Sequence, residues 1–267
     1  MKAYLSFFRI RFIHGLQYRA AAYAGIITQL AFGLMYIMLY SAFYENNITA
    51  TTMSFSQLSS YLWLQQAFLA LFMTWFLDND IFDLITGGNV AYELCRPLDL
   101  YAMWFSKSCA VRLSKAVLRC FPILIIAFFM PEPYKLHLPN SIYTLFAFIA
   151  SMILAFMLVV AYCMLIYILC FYTISPMGIR MAMIMLADFF SGSLVPLPLM
   201  PDWFNKYSYI LPFAAMQNVP FRIYSGNISI EQVWQNMLVQ LIWLIILIIL
   251  GRFILSRALK RTVVQGG

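Results

Sequence analysis

An all-α, polytopic membrane fold with six transmembrane helices is what this sequence predicts, and three observations carry the prediction. The chain is 64% hydrophobic, 10% charged and 18% aromatic, with a mean hydropathy of +0.83. Uninterrupted apolar runs long enough for a bilayer recur along it. Basic residues gather at the ends of those runs, which is the pattern of membrane anchoring rather than of a nucleic-acid groove, although the net charge is +7. A single transmembrane domain over 1–267 follows, because counting soluble domains by length does not apply to such a composition.

The chain opens on a basic segment, 1–19, in which Lys2, Arg9 and Arg11 alternate with Tyr4, Leu5, Phe7 and Phe8. It has no separate apolar core and no small-residue cleavage site, so it reads as an interfacial helix rather than a signal peptide. The first span covers about 20–43, and a polar loop, 44–56, follows with a sequon at Asn47. The second covers about 57–77. Residues 78–100 then carry five of the ten acidic residues of the chain: Asp78, Asp80, Asp83, Glu93 and Asp99. An ionised side chain at mid-bilayer costs at least ~2.5–3.5 kcal/mol, so this island lies in water. Asp78 or Asn79 can cap a short helix with Asp80 and Asp83 in its first turn. Ile81, Leu84 and Ile85 fall on one face of it, and Gly87-Gly88 ends it. Two readings of that face stay open here: a connector resting on the membrane, or a docking surface for a soluble partner.

The third span, about 101–130, carries basic residues in its first half and stops at Pro131-Glu132-Pro133. The fourth runs from about 141 to 172, longer than the ~20 residues a span needs. A turn at Ser175-Pro176 leads to the fifth, about 179–195. Residues 196–226 contain Pro196, Pro198, Pro201, Pro212 and Pro220, which forbid one continuous helix. The aromatic side chains of this segment, Trp203, Phe204 and Phe213 among them, predict broken helices at an outer interface. The last span lies near 233–251, before a basic C-terminus. With both termini and 78–100 in the cytoplasm, fourteen of the seventeen Lys and Arg residues lie inside; Lys135, Lys206 and Arg222 lie outside.

Charges within spans are the remaining signal. Asp188 lies eight residues past Arg180, about 12 Å along a helix and inside the hydrocarbon. Arg112, Lys115 and Arg119 share one face of the third span. Matching depths predict an Arg119–Asp188 ion pair; local bonding of Asp188 to Ser191, or snorkelling of Arg119, are the competing arrangements.

Catalytic patterns are missing from the sequence. Five cysteines occur with no C-x-x-C pair, and His14 and His137 fall on opposite sides of the predicted membrane. No G-x-x-x-x-G-K-[ST] loop occurs, so no ATP hydrolysis, bound cofactor or metal is expected of this chain, and a membrane enzyme is the weakest reading. A secondary, ion-coupled carrier or a channel without an ATPase partner should show paired inverted halves; here the proline-rich break occurs once.

Residues 88–99, GNVAYELCRPLD, follow the pattern G-x-x-A-Y-x-L-x-R-P-x-D, preceded by an acidic start and an Ile/Leu face. This stretch resembles the loop between the second and third spans of ABC type-2 exporter permeases. A second patch, with Gly192, Pro196-Leu197, Pro201, Trp203 and Leu211-Pro212-Phe213, is similar to the last extracellular segment of the same family. The resemblance implies a dimer with a second permease, identical or paralogous, in a bacterial cytoplasmic membrane. It also implies ATP and Mg bound on separate cytoplasmic ATP-binding subunits. In that family the loop is the coupling element, which maps here to Asp80, Ile81, Asp83, Leu84, Ile85, Gly87, Gly88, Arg96 and Pro97. The outer segment lids the pathway, which maps to Pro196, Pro201, Trp203, Pro212 and Phe213.

Overall fold

The computed structural model describes residues 2–17, 19–45, 52–173 and 175–261. Asn46 and the sequon at Asn47 lie outside the described residues. Among those residues every regular element is helical. In chain order the helices are α1 (Lys2–Leu16), α2 (Arg19–Glu45), α3 (Phe55–Ala67), α4 (Leu69–Phe72), α5 (Asn79–Thr86) and α6 (Val90–Leu94). They continue as α7 (Leu100–Phe128), α8 (Ile142–Leu169), α9 (Pro176–Phe190), α10 (Asp202–Ser208), α11 (Asn218–Tyr224) and α12 (Ile230–Arg261).

The centre of the packing is α8. Most of its length is buried, including an unbroken run from Leu158 to Ile168. Against it lie α12 and α11. A polar link fixes the first of these contacts: Ser151 Oγ donates to Gln240 Oε1 at 2.9 Å, and Gln240 Nε2 donates to the Ala215 carbonyl at 2.9 Å. A buried amide with both ends engaged sets the register between two otherwise featureless apolar helices. On the other side α11 wedges between α8 and α3, where the Phe221 ring meets Tyr61 and Phe72 edge-on at 5.5 and 5.4 Å.

Local chemistry explains the helix starts. Ser54 and Gln57 form a reciprocal capping box before α3. Asp99 Oδ1 accepts from the Ala102 amide at 2.8 Å to start α7, and Ser141 caps α8 through the Tyr143 amide. Pro176 occupies the first turn of α9, where its missing N–H has no partner to lose.

Three helical stretches, Ala20–Glu45, Ile142–Tyr172 and Ile230–Arg261, are long and apolar enough to cross a membrane. The other three predicted spans depart from that standard for separate reasons. α7 has the length but carries Lys107, Arg112, Lys115 and Arg119. α9 has only 15 residues and stops at Phe190, short of the predicted 195. The predicted second span, 57–77, is not one helix. α3 ends at Ala67, Phe68 leaves helical geometry at φ −103° and ψ 14°, α4 adds a single turn, and Met73 is extended. No proline or glycine marks this break. From the end of α4 onward, a side chain from elsewhere takes up the freed carbonyls of Leu71, Met73 and Phe76.

Candidate coupling site

That side chain is Arg112, on α7, fully buried at 2% exposure. Its Nη1 donates to the carbonyls of Leu71 and Met73 at 3.1 and 2.8 Å, and its Nη2 to Phe76 O at 2.9 Å. A fourth contact reaches the Sγ of Cys163 on α8 at 3.0 Å. The planar fork of guanidinium can serve several acceptors at once, so one residue holds the unwound chain between α4 and α5. Neighbouring groups fix the next residues. Lys107 Nζ lies 2.8 Å from Asp78 Oδ2 and 3.2 Å from Asp80 Oδ2. The Asp78 amide donates to the Tyr167 hydroxyl on α8 at 2.7 Å. Arg180 of α9 donates to Asn79 Oδ1 at 3.0 Å and covers the Phe82 ring.

Of the two caps the sequence allows, Asp78 is the one that forms, with Oδ1 accepting from the Asp80 amide at 3.0 Å. α5 closes at Gly87, and Gly88 turns the chain at φ +72°, a conformation that glycine alone adopts freely. α6 follows, and its Glu93 is shared between Arg96 at 3.3 Å and the Trp104 indole at 3.3 Å. At its far end, the Asp99 amide donates to the Tyr4 hydroxyl at 2.8 Å, which ties α1 to the start of α7. The 78–99 element is therefore bonded to α1, α7, α8 and α9.

The predicted docking face requires correction. Ile81 is completely buried, and Leu84 and Ile85 are half-buried against the same core. The resemblance mapped the apolar face of α5 to the coupling surface, one of the two readings left open, but it packs inward on this chain's own body. The exposed side carries Asp80, Asp83, Gly87 and Gly88, then Tyr92 at 74% exposure, Leu94, Arg96 and Pro97.

The charge pair is not formed. Asp188 Oδ1 instead accepts from Thr74 Oγ1 at 3.1 Å, and Arg119 Nη2 reaches the Ala21 carbonyl at 3.4 Å. Both residues line one cavity without touching. The outer segment divides as well. Pro196, Pro212 and Phe213 are buried, whereas Pro201 and Trp203 are exposed. Its core is a ring stack, with Phe204 parallel to Phe190 at 5.5 Å and Phe213 at 6.1 Å from Phe190. α11 is buried throughout most of its length rather than lying at a surface.

Beside the 78–99 element lies a basic cavity of about 360 Å³, lined by Arg11, His14, Lys107, Arg112, Lys115 and Arg119 against Asp78 and Asp80. Among the described residues no three His, Cys, Asp or Glu side chains converge as a metal site.

A family model described as an ABC-2 family transporter protein matches residues 30–266. The chain belongs to that family. Searches of curated proteins and of solved structures found no match. ABC-2 membership makes the chain an integral membrane component of an ABC transporter, a transport subunit in a family that works with ATP-binding cassette subunits.

Proposed function

We propose that this chain is the permease subunit of an ATP-driven exporter in a bacterial cytoplasmic membrane, acting as a dimer with an identical or paralogous permease. ATP and Mg are bound and hydrolysed on separate cytoplasmic subunits. Both termini and the 78–99 element face the cytoplasm, a reading supported by the basic-residue asymmetry. The ATP-binding subunit docks on Tyr92, Leu94, Arg96 and Pro97. The 196–226 segment lids the outer end of the pathway.

The observation that carries this reading is the clamp. A partner pushing on the exposed side of the 78–99 element meets a unit bonded through Lys107 and Arg112 to α7 and through Tyr167 to α8. Force therefore reaches two long helices instead of being absorbed in a slack loop. The test is co-purification with the ATP-binding subunit. Leu94→Asp alters only an exposed position, so the permease should still fold and insert while the complex and its export activity are lost. A Leu94→Asp variant that retains the partner and exports normally would return the loop to the connector reading. Impermeant thiol reagents should reach a cysteine at position 89 only after permeabilisation.

A further inference from the structure

A second cavity, of about 350 Å³, lies between α2, the α3–α4 break and α9. Its polar lining is incomplete. Gln29 is only 5% exposed, and among the described residues neither its Oε1 nor its Nε2 has a partner. The Nε of Arg119, from α7, is likewise buried and unpaired. A buried amide and a guanidinium N–H left without partners are costly, and both face the same space. Gly25 lies one turn before Gln29 on α2; a Cβ there would come within 2.6 Å of the Arg119 Cζ, so the glycine makes room for the guanidinium. Asp188 borders the cavity but is bonded to Thr74 and makes no ion pair with Arg119. Exposed Phe32, Trp75 and Leu194 form an apolar mouth. Arg119 and Phe76 also line the basic cavity described above, so the two spaces adjoin at the guanidinium.

We propose that this cavity binds an amphiphile with a single anionic head, the head held by Arg119 and the Gln29 amide and the tail lying against Phe32, Trp75 and Leu194. A charge-assisted bond to guanidinium uses the open Nε–H, and the amide N–H₂ adds a second donor. Adjoining Lys115 and Arg11 make the approach electropositive, which favours entry of an anion from that side. The apolar mouth selects a tail over a small free ion. The proposal rests on the permease reading for its role as cargo site, but binding itself requires no ATPase.

The isolated full chain in dodecyl maltoside is titrated with dodecyl phosphate, dodecylphosphocholine and inorganic phosphate, and binding is followed calorimetrically against empty micelles. Dodecyl phosphate should bind at least about tenfold more tightly than either comparison ligand, the scale of one strong charge-assisted bond. Arg119→Gln should erase that preference, Arg119→Lys should keep most of it, and Gln29→Leu should weaken dodecyl phosphate several-fold. Equal binding of the two dodecyl ligands overturns the anionic head, and equal binding of inorganic phosphate overturns the tail. Full affinity in Gln29→Leu overturns the assignment of the site. Should Arg119→Gln fail to elute as a folded species, Arg119→Lys and Gln29→Leu decide the matter. A negative result here leaves docking of the ATP-binding subunit untouched, since Leu94 is tested separately.

Discussion

Two interruptions in the helical framework are built from opposite materials. The 78–99 element and the chain leading into it are held by ion pairs and by hydrogen bonds to backbone, centred on Lys107 and Arg112. The 196–226 segment is held largely by rings, Phe204 and Phe213 on Phe190 of α9 and Phe221 against Tyr61, with the Gln240 bond to Ala215 and the Arg222 bond to Tyr209 as its polar ties. Directional bonds specify one arrangement and report displacement of either side, whereas ring contacts tolerate sliding with gradual loss. On the proposed function, transmission falls to the first region and movable closure to the second.

The largest effect should come from Arg112→Ala. It strands the carbonyls of Leu71, Met73 and Phe76, at about 1–3 kcal/mol for each unsatisfied group. Little folded protein should survive extraction and size-exclusion chromatography, and Arg112→Lys should not rescue it, because one ammonium cannot reproduce the fork. Phe204→Ala should cost about 3 kcal/mol, in line with truncation of a buried ring. It should lower the melting temperature without changing hydrogen exchange in α5. Lys107→Met should do the reverse. Global stability falls by about 1–2 kcal/mol at most, as for a hydrogen-bonded charge, while amides 79–86 exchange faster. If Lys107→Met and Phe204→Ala loosen the same amides, the two regions are not mechanically distinct.

The smallest effect concerns Glu132, in the loop after α7. Hydrogen bonding to Lys135, and then the contact with His137, holds its carboxyl below the usual 4.5. A lowered folded-state value means that its stabilisation is present above the ordinary carboxylate range and disappears as pH falls through the lowered value. Glu132→Gln should therefore lower the melting temperature slightly at pH 7 and make no difference in stronger acid. Because the group is fully exposed, the shift should be small and screened by salt.

Helical class, the Asp78 cap, the Gly87-Gly88 stop and the family pattern in 88–99 were all legible in the sequence, because each depends on neighbours within one turn. What was not legible depends on distant chain. Nothing local marks the breaks at Phe68 and Met73; the extended chain after α4 is held by Arg112, about forty positions away, through the carbonyls of Leu71, Met73 and Phe76. The i, i+3, i+4 spacing of Ile81, Leu84 and Ile85 identified an apolar face correctly but could not say whether the protein or a partner would cover it. Depth matching suggested Arg119 and Asp188 as partners, and the two do border one cavity. Thr74, freed from helical geometry by the same unpredicted break, provides the bond that Asp188 accepts.

On the proposed function, the 78–99 element and α7 move as one body when the ATP-binding subunits close. In a cysteine-free background, spin labels at positions 89 and 117 report the distance between the exposed loop and α7, and labels at 89 and 203 report the distance to the outer segment. With the ATP-binding subunits present, addition of ATP should leave the 89–117 distance distribution unchanged while shifting the 89–203 distribution. A change in the 89–117 distance equal to or greater than that in 89–203 would contradict the account, because it would mean that the clamp yields before it transmits.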